Sequence, residues 1–472
     1  MTTNKWKNSF MNKNLSNKPK KDGANKVTGY LPDEKPEFIE LILFALQQII
    51  VMFPATVLVA LITGFHVSTT IFASGLATLG FILITRKKIP LYYGSSFSYI
   101  AAIASIMSAD TFSGYSLNDK ISIAQFGIVM SGFVSIFAGI IIQKSGKKLI
   151  DKVLPPTITG SIAIIIGLSL AGNAMGNAAA IPPTVSKTSQ QIATNYAWLI
   201  AIITLFSTIL YSVYLKGKLS QLPILFGLLT GYFAALVIGL ISGISFVNFH
   251  TIQSSSILNL PIFTFPKPSW EAVIAIMPIA IATIPESTAH VYQLDTYVNN
   301  LAKKKGINNR YDIAGNLGLN LVGDGIGDMI SGMIGGPAGT NYGENLSTMA
   351  ISKNFSVPVL IAASILTMII ACFTPLINLI YSIPTAVIGG LSIYLYGVIA
   401  AQGITIMLDK KVDLFSSKNL AVIAVILIIG LGGTYNFEGG MIPMFGVELP
   451  SLATAAVVGI LLNLMLSFRE DK

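Results

Sequence analysis

From Phe38 onward, apolar stretches alternate with short polar breaks all along the chain. A helix needs about 20 residues to cross the roughly 30 Å hydrocarbon core of a bilayer. On that measure the pattern predicts spanning or partly spanning segments at residues 39–64, 69–85, 91–108, 123–143, 154–174, 195–215, 221–246, 271–294, 311–333, 337–352, 356–380, 384–408, 419–434 and 449–467. These are fourteen in number, and no sizeable soluble domain fits between them. The first apolar run, from Phe38 to Phe65, is too long and too late for a cleaved signal peptide and reads as the first spanning helix. The fold class is therefore an all-α polytopic membrane protein.

Composition agrees: 53% of the residues are hydrophobic, only 11% are charged, and mean hydropathy is +0.71. Soluble domains carry about a quarter charged residues. A net charge of +9 raises nucleic acid as a partner. The positions of the charges answer it. With both termini in the cytoplasm, every Lys and Arg except Lys120, Lys187 and Lys267 falls in a cytoplasmic piece, as the positive-inside rule requires. The expectation is a multi-pass plasma-membrane protein with cytoplasmic N- and C-termini and no nucleic-acid partner. Residues 1–37, rich in Lys and Asn, read as a disordered cytoplasmic tail with some attraction to anionic membrane lipid. The single Cys372 allows no disulfide framework.

An internal echo sets the architecture. LPPTITGSIAIIIGLSLA (154–171) resembles IPTAVIGGLSIYLYGVIA (383–400), with Pro155 matching Pro384 and Gly160 matching Gly389. The two copies open the fifth and twelfth segments. A repeat unit of seven crossings is odd, so its second copy inserts upside down, giving two inverted seven-segment repeats. Segment three (LYYGSSFSYIAA, 91–102) then corresponds to segment ten (GTNYGENLSTMA, 339–350), and both are short and interrupted by Gly and hydroxyl residues. Such paired broken segments mark a midplane binding site, because backbone released from a helix must line a cavity rather than lipid.

Carboxylates at that depth are costly. Glu344 lies in segment ten, and Glu286 follows Pro285 in segment eight with His290 one turn later on the same face. Segment nine adds Asn316, Asn320, Asp324 and Asp328 at steps of four, amid glycines. Glu286 with His290 reads either as a functional pair or as a buried structural one. The segment-nine stripe reads mainly as a packing interface, with Asp324 its best functional member. Gln48 is either interhelical glue or a cavity residue. Gly94–Phe97 is a site element or a simple kink, and Tyr92 and Tyr93 line it or anchor at the interface. There is no HExxH, GxSxG, Walker loop or Cys cluster, which argues against an enzyme.

YGEN followed by MAIS, the GSSF of segment three, and a glutamate with histidine four residues later together resemble the nucleobase/ascorbate transporter family, in particular its bacterial uracil and xanthine permeases. The resemblance spans residues 37–468. It implies a core domain of segments one to four (38–150) and eight to eleven (271–382) and a gate domain of segments five to seven (151–247) and twelve to fourteen (383–468). It also implies short antiparallel strands in segments three and ten. Carried over by motif, Glu286 and Glu344 bind the nucleobase, the backbone around Phe97 and Gly343 donates to it, and Ser96 and Tyr342 flank these positions. Glu286 and His290 couple transport to protons, with no other cofactor and no metal. Asp324, Asn345 and Gln48 are secondary candidates. The family often pairs as homodimers through the gate.

The chain departs from the pattern at Gln48, where uracil permeases usually carry histidine, and at Ser347, Ser352 and Lys353 after the YGEN motif. Asp324 is more typical of purine permeases, whereas Glu344 is of the uracil type. The functional expectation is a proton-coupled nucleobase importer, uracil first, with a xanthine or purine permease as the alternative and a channel or receptor further behind.

Overall fold

The computed structural model describes residues 29–145, 153–216, 219, 222–247, 256–307, 311–444 and 447–467. Among these, nine helices are long and apolar enough to cross a membrane, and Phe97–Ser108, Val357–Ala371 and Ser451–Ser467 are shorter apolar ones. Leu317–Ile334 and Gly343–Ser352 complete the fourteen segments; their Asn, Asp and Gly content lowers their hydropathy.

In chain order, segments one and two are Phe38–Thr63 and Val67–Ile84. Segment three is strand β1 (Tyr93–Ser95) leading to the half-helix Ile100–Ser108, and segment four is Leu117–Ser145. Segments five to seven are Pro156–Ser169 with Ala171–Ala178, Gln190–Tyr214, and Pro223–Ser242. Segments eight and nine are Trp270–Ile276 with Ile279–Lys304, and Leu317–Ile334. Segment ten is strand β2 (Gly339–Asn341) and the half-helix Gly343–Ser352. Segments eleven to fourteen are Val357–Ala371 with Thr374–Tyr381, Thr385–Asp409, Ser417–Asn436 and Ser451–Ser467.

Several predicted continuous helices are broken. Segment eight breaks at Met277–Pro278 and then runs unbroken through Pro285. Segment eleven breaks at Cys372–Phe373, and Pro375 opens the next short helix, where a missing N–H costs nothing. Strands β3 (Met441–Met444) and β4 (Val447–Pro450) pair antiparallel between segments thirteen and fourteen, an element with no counterpart in the sequence reading.

The inverted repeat is visible in which segments pack together. Segment four packs on nine and, seven further on, eleven packs on two. Six on seven is matched by thirteen on fourteen, and twelve on six by five on thirteen. Three pairs with ten and five with twelve across the pseudo-two-fold axis itself. The echoed residues obey the same operation: Gly160 abuts Met407 while Gly389 abuts Ala178. Close approach between four and nine depends on glycine. A Cβ on Gly139 would come within 2.6 Å of the Gly318 carbonyl oxygen, and one on Gly318 within 2.6 Å of that of Gly139.

Segments one to four pack chiefly with eight to eleven, and five to seven with twelve to fourteen. One apolar cluster joins the two groups, bringing Ile103 and Ile276 together with Ile162 and Ile426. An extended run over 256–269 ties the first group together at one face. Leu258 bridges Phe373, the Thr69 hydroxyl donates to the Ile262 carbonyl at 2.6 Å, and Gln125 Nε2 donates to that of Thr264 at 2.8 Å.

Of the predicted tail, residues 1–28 lie outside the described residues, but its last stretch is not free. Tyr30 bridges Asn354, Leu31 is fully buried, and Glu34 pairs with Lys305 at 2.5 Å. Leu31 and Pro32 are buried, and the Tyr30 N–H donates to the Lys353 carbonyl at 2.8 Å, which pins this stretch at the end of segment ten.

Candidate functional site

The site is organised by β1 and β2, which pair antiparallel with Tyr93 opposite Asn341, Gly94 opposite Thr340 and Ser95 opposite Gly339. Each strand delivers the chain into a helical start: Phe97 after Ser96, and Gly343 after Tyr342. The first N–H groups of a helix have no partner within it, and the positive ends of both dipoles lie at the strand pair. Ser96 uses its hydroxyl to accept from the Ser98 N–H at 3.2 Å. The Tyr342 hydroxyl donates to the Ser95 carbonyl at 2.9 Å and meets Thr56 Oγ1 at 2.9 Å.

Segment eight lies along this pair. Glu286 interacts with the Ser98 hydroxyl and stands within electrostatic reach of Glu344. One turn on, His290 lies against Gly343, where a Cβ would come 2.8 Å from Nε2. The absence of a side chain at Gly343 leaves room for the imidazole at the start of the half-helix. The ring also interacts with the backbone of Asn341, while Nδ1 has no hydrogen-bond partner. Opposite, the Phe97 ring meets Tyr396 of segment twelve edge-on, with centroids 6.4 Å apart and planes at 75°.

Accessibility divides the candidate residues into two sets. Glu286, His290, Glu344, Phe97 and Gly343 are half-buried and converge on one place. Ser96, Tyr342, Asn345, Gln48 and Asp324 are buried behind them. Asn345 donates to both Oε1 (2.8 Å) and the main-chain oxygen (2.9 Å) of Gln48, so Gln48 acts as interhelical glue to segment one. Asp324 accepts from Ser287 (2.6 Å), Asn341 (2.9 Å) and Asn320 (3.1 Å). That carboxylate is satisfied from within the protein and fastens β2 to segments eight and nine. Further along the stripe, Asp328 accepts from the Tyr93 hydroxyl and, at 2.8 Å, from the Gly339 N–H, holding both strands.

Tyr92 and Tyr93 are 0% and 2% exposed, which removes the interfacial-anchor reading. Residues the sequence reading did not single out also belong to this place: Ser98, Ser287, Thr340, Asn341 and Tyr396. Asn341 lies within the quoted segment-ten motif, and Ser287 is next to Glu286; both were available as polar residues in apolar surroundings.

A profile of the xanthine/uracil permeases, described as a permease family, matches residues 39–439. The uracil permease of Bacillus caldolyticus is 35% identical over 448 residues, covering 93% of this chain and 94% of that protein. The uracil permease of Escherichia coli K12 is 33% identical, with 92% of each covered. Among solved structures, a murine Solute Carrier 26 family member A9 anion transporter in its inward-facing state aligns with a TM-score of 0.64 at 13% identity, over 98% of this chain and 74% of that one. The transmembrane domain of the cyanobacterial bicarbonate transporter BicA aligns with a TM-score of 0.54 at 14% identity, over 91% and 98%. These two share the fold of two inverted seven-segment repeats. Profile and relatives together make this chain a member of the xanthine/uracil permease family, the nucleobase/ascorbate transporters, and a transporter rather than an enzyme.

Proposed function

We propose that this nucleobase transporter imports uracil across the plasma membrane, coupled to protons, with both termini in the cytoplasm. The observation that carries the substrate reading is the convergence of two half-buried carboxylates, Glu286 and Glu344, on two helix starts at Phe97 and Gly343. Uracil presents ring N–H donors and carbonyl acceptors in one plane. Carboxylates accept the former and free backbone N–H groups donate to the latter, with the Phe97 ring against the base. The names of the relatives support uracil over a purine.

Glu286 is the proton-carrying group in this reading, with His290 beside it: a carboxyl that meets substrate and exchanges a proton with the conformational change links the two fluxes. The remaining candidates, Asp324, Asn345, Gln48, Ser96 and Tyr342, position these groups from behind. Transport proceeds by movement of a core, 38–150 with 271–382, against a gate, 151–247 with 383–468. Membrane lipid surrounds both, and a homodimer through the gate fits this division.

Uptake of labelled uracil into proteoliposomes under an imposed inward proton gradient tests the reading. Accumulation that collapses with a protonophore, and that unlabelled uracil but not xanthine blocks, is the expected result. Uptake indifferent to the protonophore would remove the coupling, and competition by xanthine alone would move the substrate to the purines.

A further inference from the structure

At the lysine-rich end of segments two, nine and eleven lies a cavity of about 570 Å³, well away from the strand pair. Its walls carry charges of both signs. Lys87 and Lys88 come from the end of segment two, and Asp33 and Asp312 from the turn after Tyr30 and the turn before segment nine. The acids are held in place, Asp33 by the Tyr311 hydroxyl at 2.6 Å and Asp312 by the Gly315 N–H at 3.1 Å. Neither lysine forms an ion pair among the described residues. The Lys88 ammonium makes a long contact, 3.4 Å, to Asn316.

The backbone that presents the lysines is unusual. Arg86 and Lys87 sit at φ 53° and 59°, consecutive left-handed positions at which a side chain is disfavoured and glycine ordinary. The turn closes through Lys87 N–H to the Ile82 carbonyl at 2.9 Å. Two ammonium groups thus project at the end of a spanning helix.

The remaining wall is apolar: Pro32, Val357, Pro358 and Ile361. It continues along one face of segment eleven through Ile365 and Ile369, 44% and 58% exposed where the segment faces the bilayer. A polar chamber with both charge signs therefore opens onto an apolar track of helical spacing. A soluble anion would use the chamber and leave the track unused. A lipid uses both.

We propose that this cavity binds a phospholipid of the adjoining leaflet. The phosphate lies at Lys87 and Lys88, a headgroup that donates hydrogen bonds beyond the phosphate, ethanolammonium or glycerol, lies at Asp33 and Asp312, and an acyl chain lies along Ile361, Ile365 and Ile369. Choline, which has no donor, adds no hydrogen bond to either carboxylate. A lipid so placed braces the stretch before segment one against the ends of segments two, nine and eleven. This does not depend on the identity of the transported base.

The test is native mass spectrometry of the delipidated full-length protein exposed to an equimolar mixture of phosphatidylethanolamine, phosphatidylglycerol and phosphatidylcholine. The first two should be retained over the third by about tenfold, the worth of about one charged hydrogen bond. Replacing both lysines, Lys87→Gln with Lys88→Gln, should weaken retention roughly 30-fold, from about fivefold for each lysine near a headgroup. Nucleobase binding should stay unchanged. Ile361→Trp, which fills the apolar wall without touching a charge, should also lower retention and serves if the lysine variant does not fold. Equal retention of the three lipids, or retention unaffected by either variant, overturns the proposal. Displacement by glycerol phosphate or inorganic phosphate overturns it too and makes the chamber a site for soluble anions.

Discussion

The hydroxyl of Tyr342 donates to the main-chain carbonyl of Ser95 at 2.9 Å, so the residue that opens one half-helix holds the strand that opens the other. Its ring also lies against Gly94, whose Cβ, were there one, would run into it. Tyr342→Phe leaves a buried carbonyl unsatisfied and should cost about 1–3 kcal/mol of stability. Gly94→Ala forces a rigid ring aside and should weaken uracil binding more than Tyr342→Phe does. Thermal unfolding of the two purified variants, with and without uracil, checks the order. The reverse order would show that the hydrogen bond matters more than the strand approach.

Glu344 faces the site half-buried at the start of its half-helix, and Asn345 behind it is fastened to Gln48. Glu344→Gln keeps the volume and the helix but offers one acceptor where two stood. The expected loss is about 2 kcal/mol in uracil binding, roughly 30-fold in Kd, with unfolding temperature unchanged. Glu344→Ala should abolish binding in a protein still folded and inserted. Calorimetric titration decides, and near-normal affinity in the alanine variant would take Glu344 out of the site.

Asp324 should behave in the opposite way. It accepts from Ser287, Asn320 and Asn341, and Asp324→Asn turns an amide donor toward at least one donor. Stability should fall by about 1–3 kcal/mol, with binding impaired only as β2 loosens. An Asp324→Asn protein that unfolds at the wild-type temperature yet fails to bind would make this carboxylate a ligand instead of a strut.

Glu286 separates binding from coupling. Glu286→Gln retains an acceptor for the base but can no longer carry a proton. Gradient-driven accumulation should fall by at least about tenfold while equilibrium exchange of uracil persists, since that exchange needs no net proton movement. Accumulation unchanged from wild type would remove Glu286 from the proton path.

Much of this arrangement could be read from the residues because a bilayer penalises polar groups so heavily. Glu286 and Glu344 stood out for that reason, and the echo of Gly160 and Gly389 exposed the repeat because each glycine serves the same close approach in its own half. What could not be read were features decided by contacts distant in sequence. The β3–β4 hairpin is the local exception: Pro443 and Pro450 argue against strands there, yet Pro443 pairs with Glu448. The role of Asp324 depends on where Ser287 and Asn341 come to rest. The anchoring of Tyr30 rests on Asn354, far along the chain. Spacing along segment nine put Asp324 on a face but could not say that the face was already supplied with donors.

That anchoring carries a pH dependence. Tyr30 donates to Glu40, which pushes the phenol up to about 12 from the ordinary value of 10.0, and Tyr311, raised by burial and by its hydrogen bond to Asp33, shifts the same way. A phenol whose pKa rises on folding stabilises the protein fully below its unfolded value, and that contribution is lost as pH climbs through the folded one. The anchor therefore holds unchanged across the physiological range and weakens only above about pH 10. Wild type and Tyr30→Phe with Tyr311→Phe should differ in unfolding temperature by a constant amount from about pH 6 to pH 9, and the gap should close as pH rises toward 12. A gap that narrows already near neutrality would assign the anchoring to a different titrating group, and Glu34 with its partner Lys305 would be the next pair to replace.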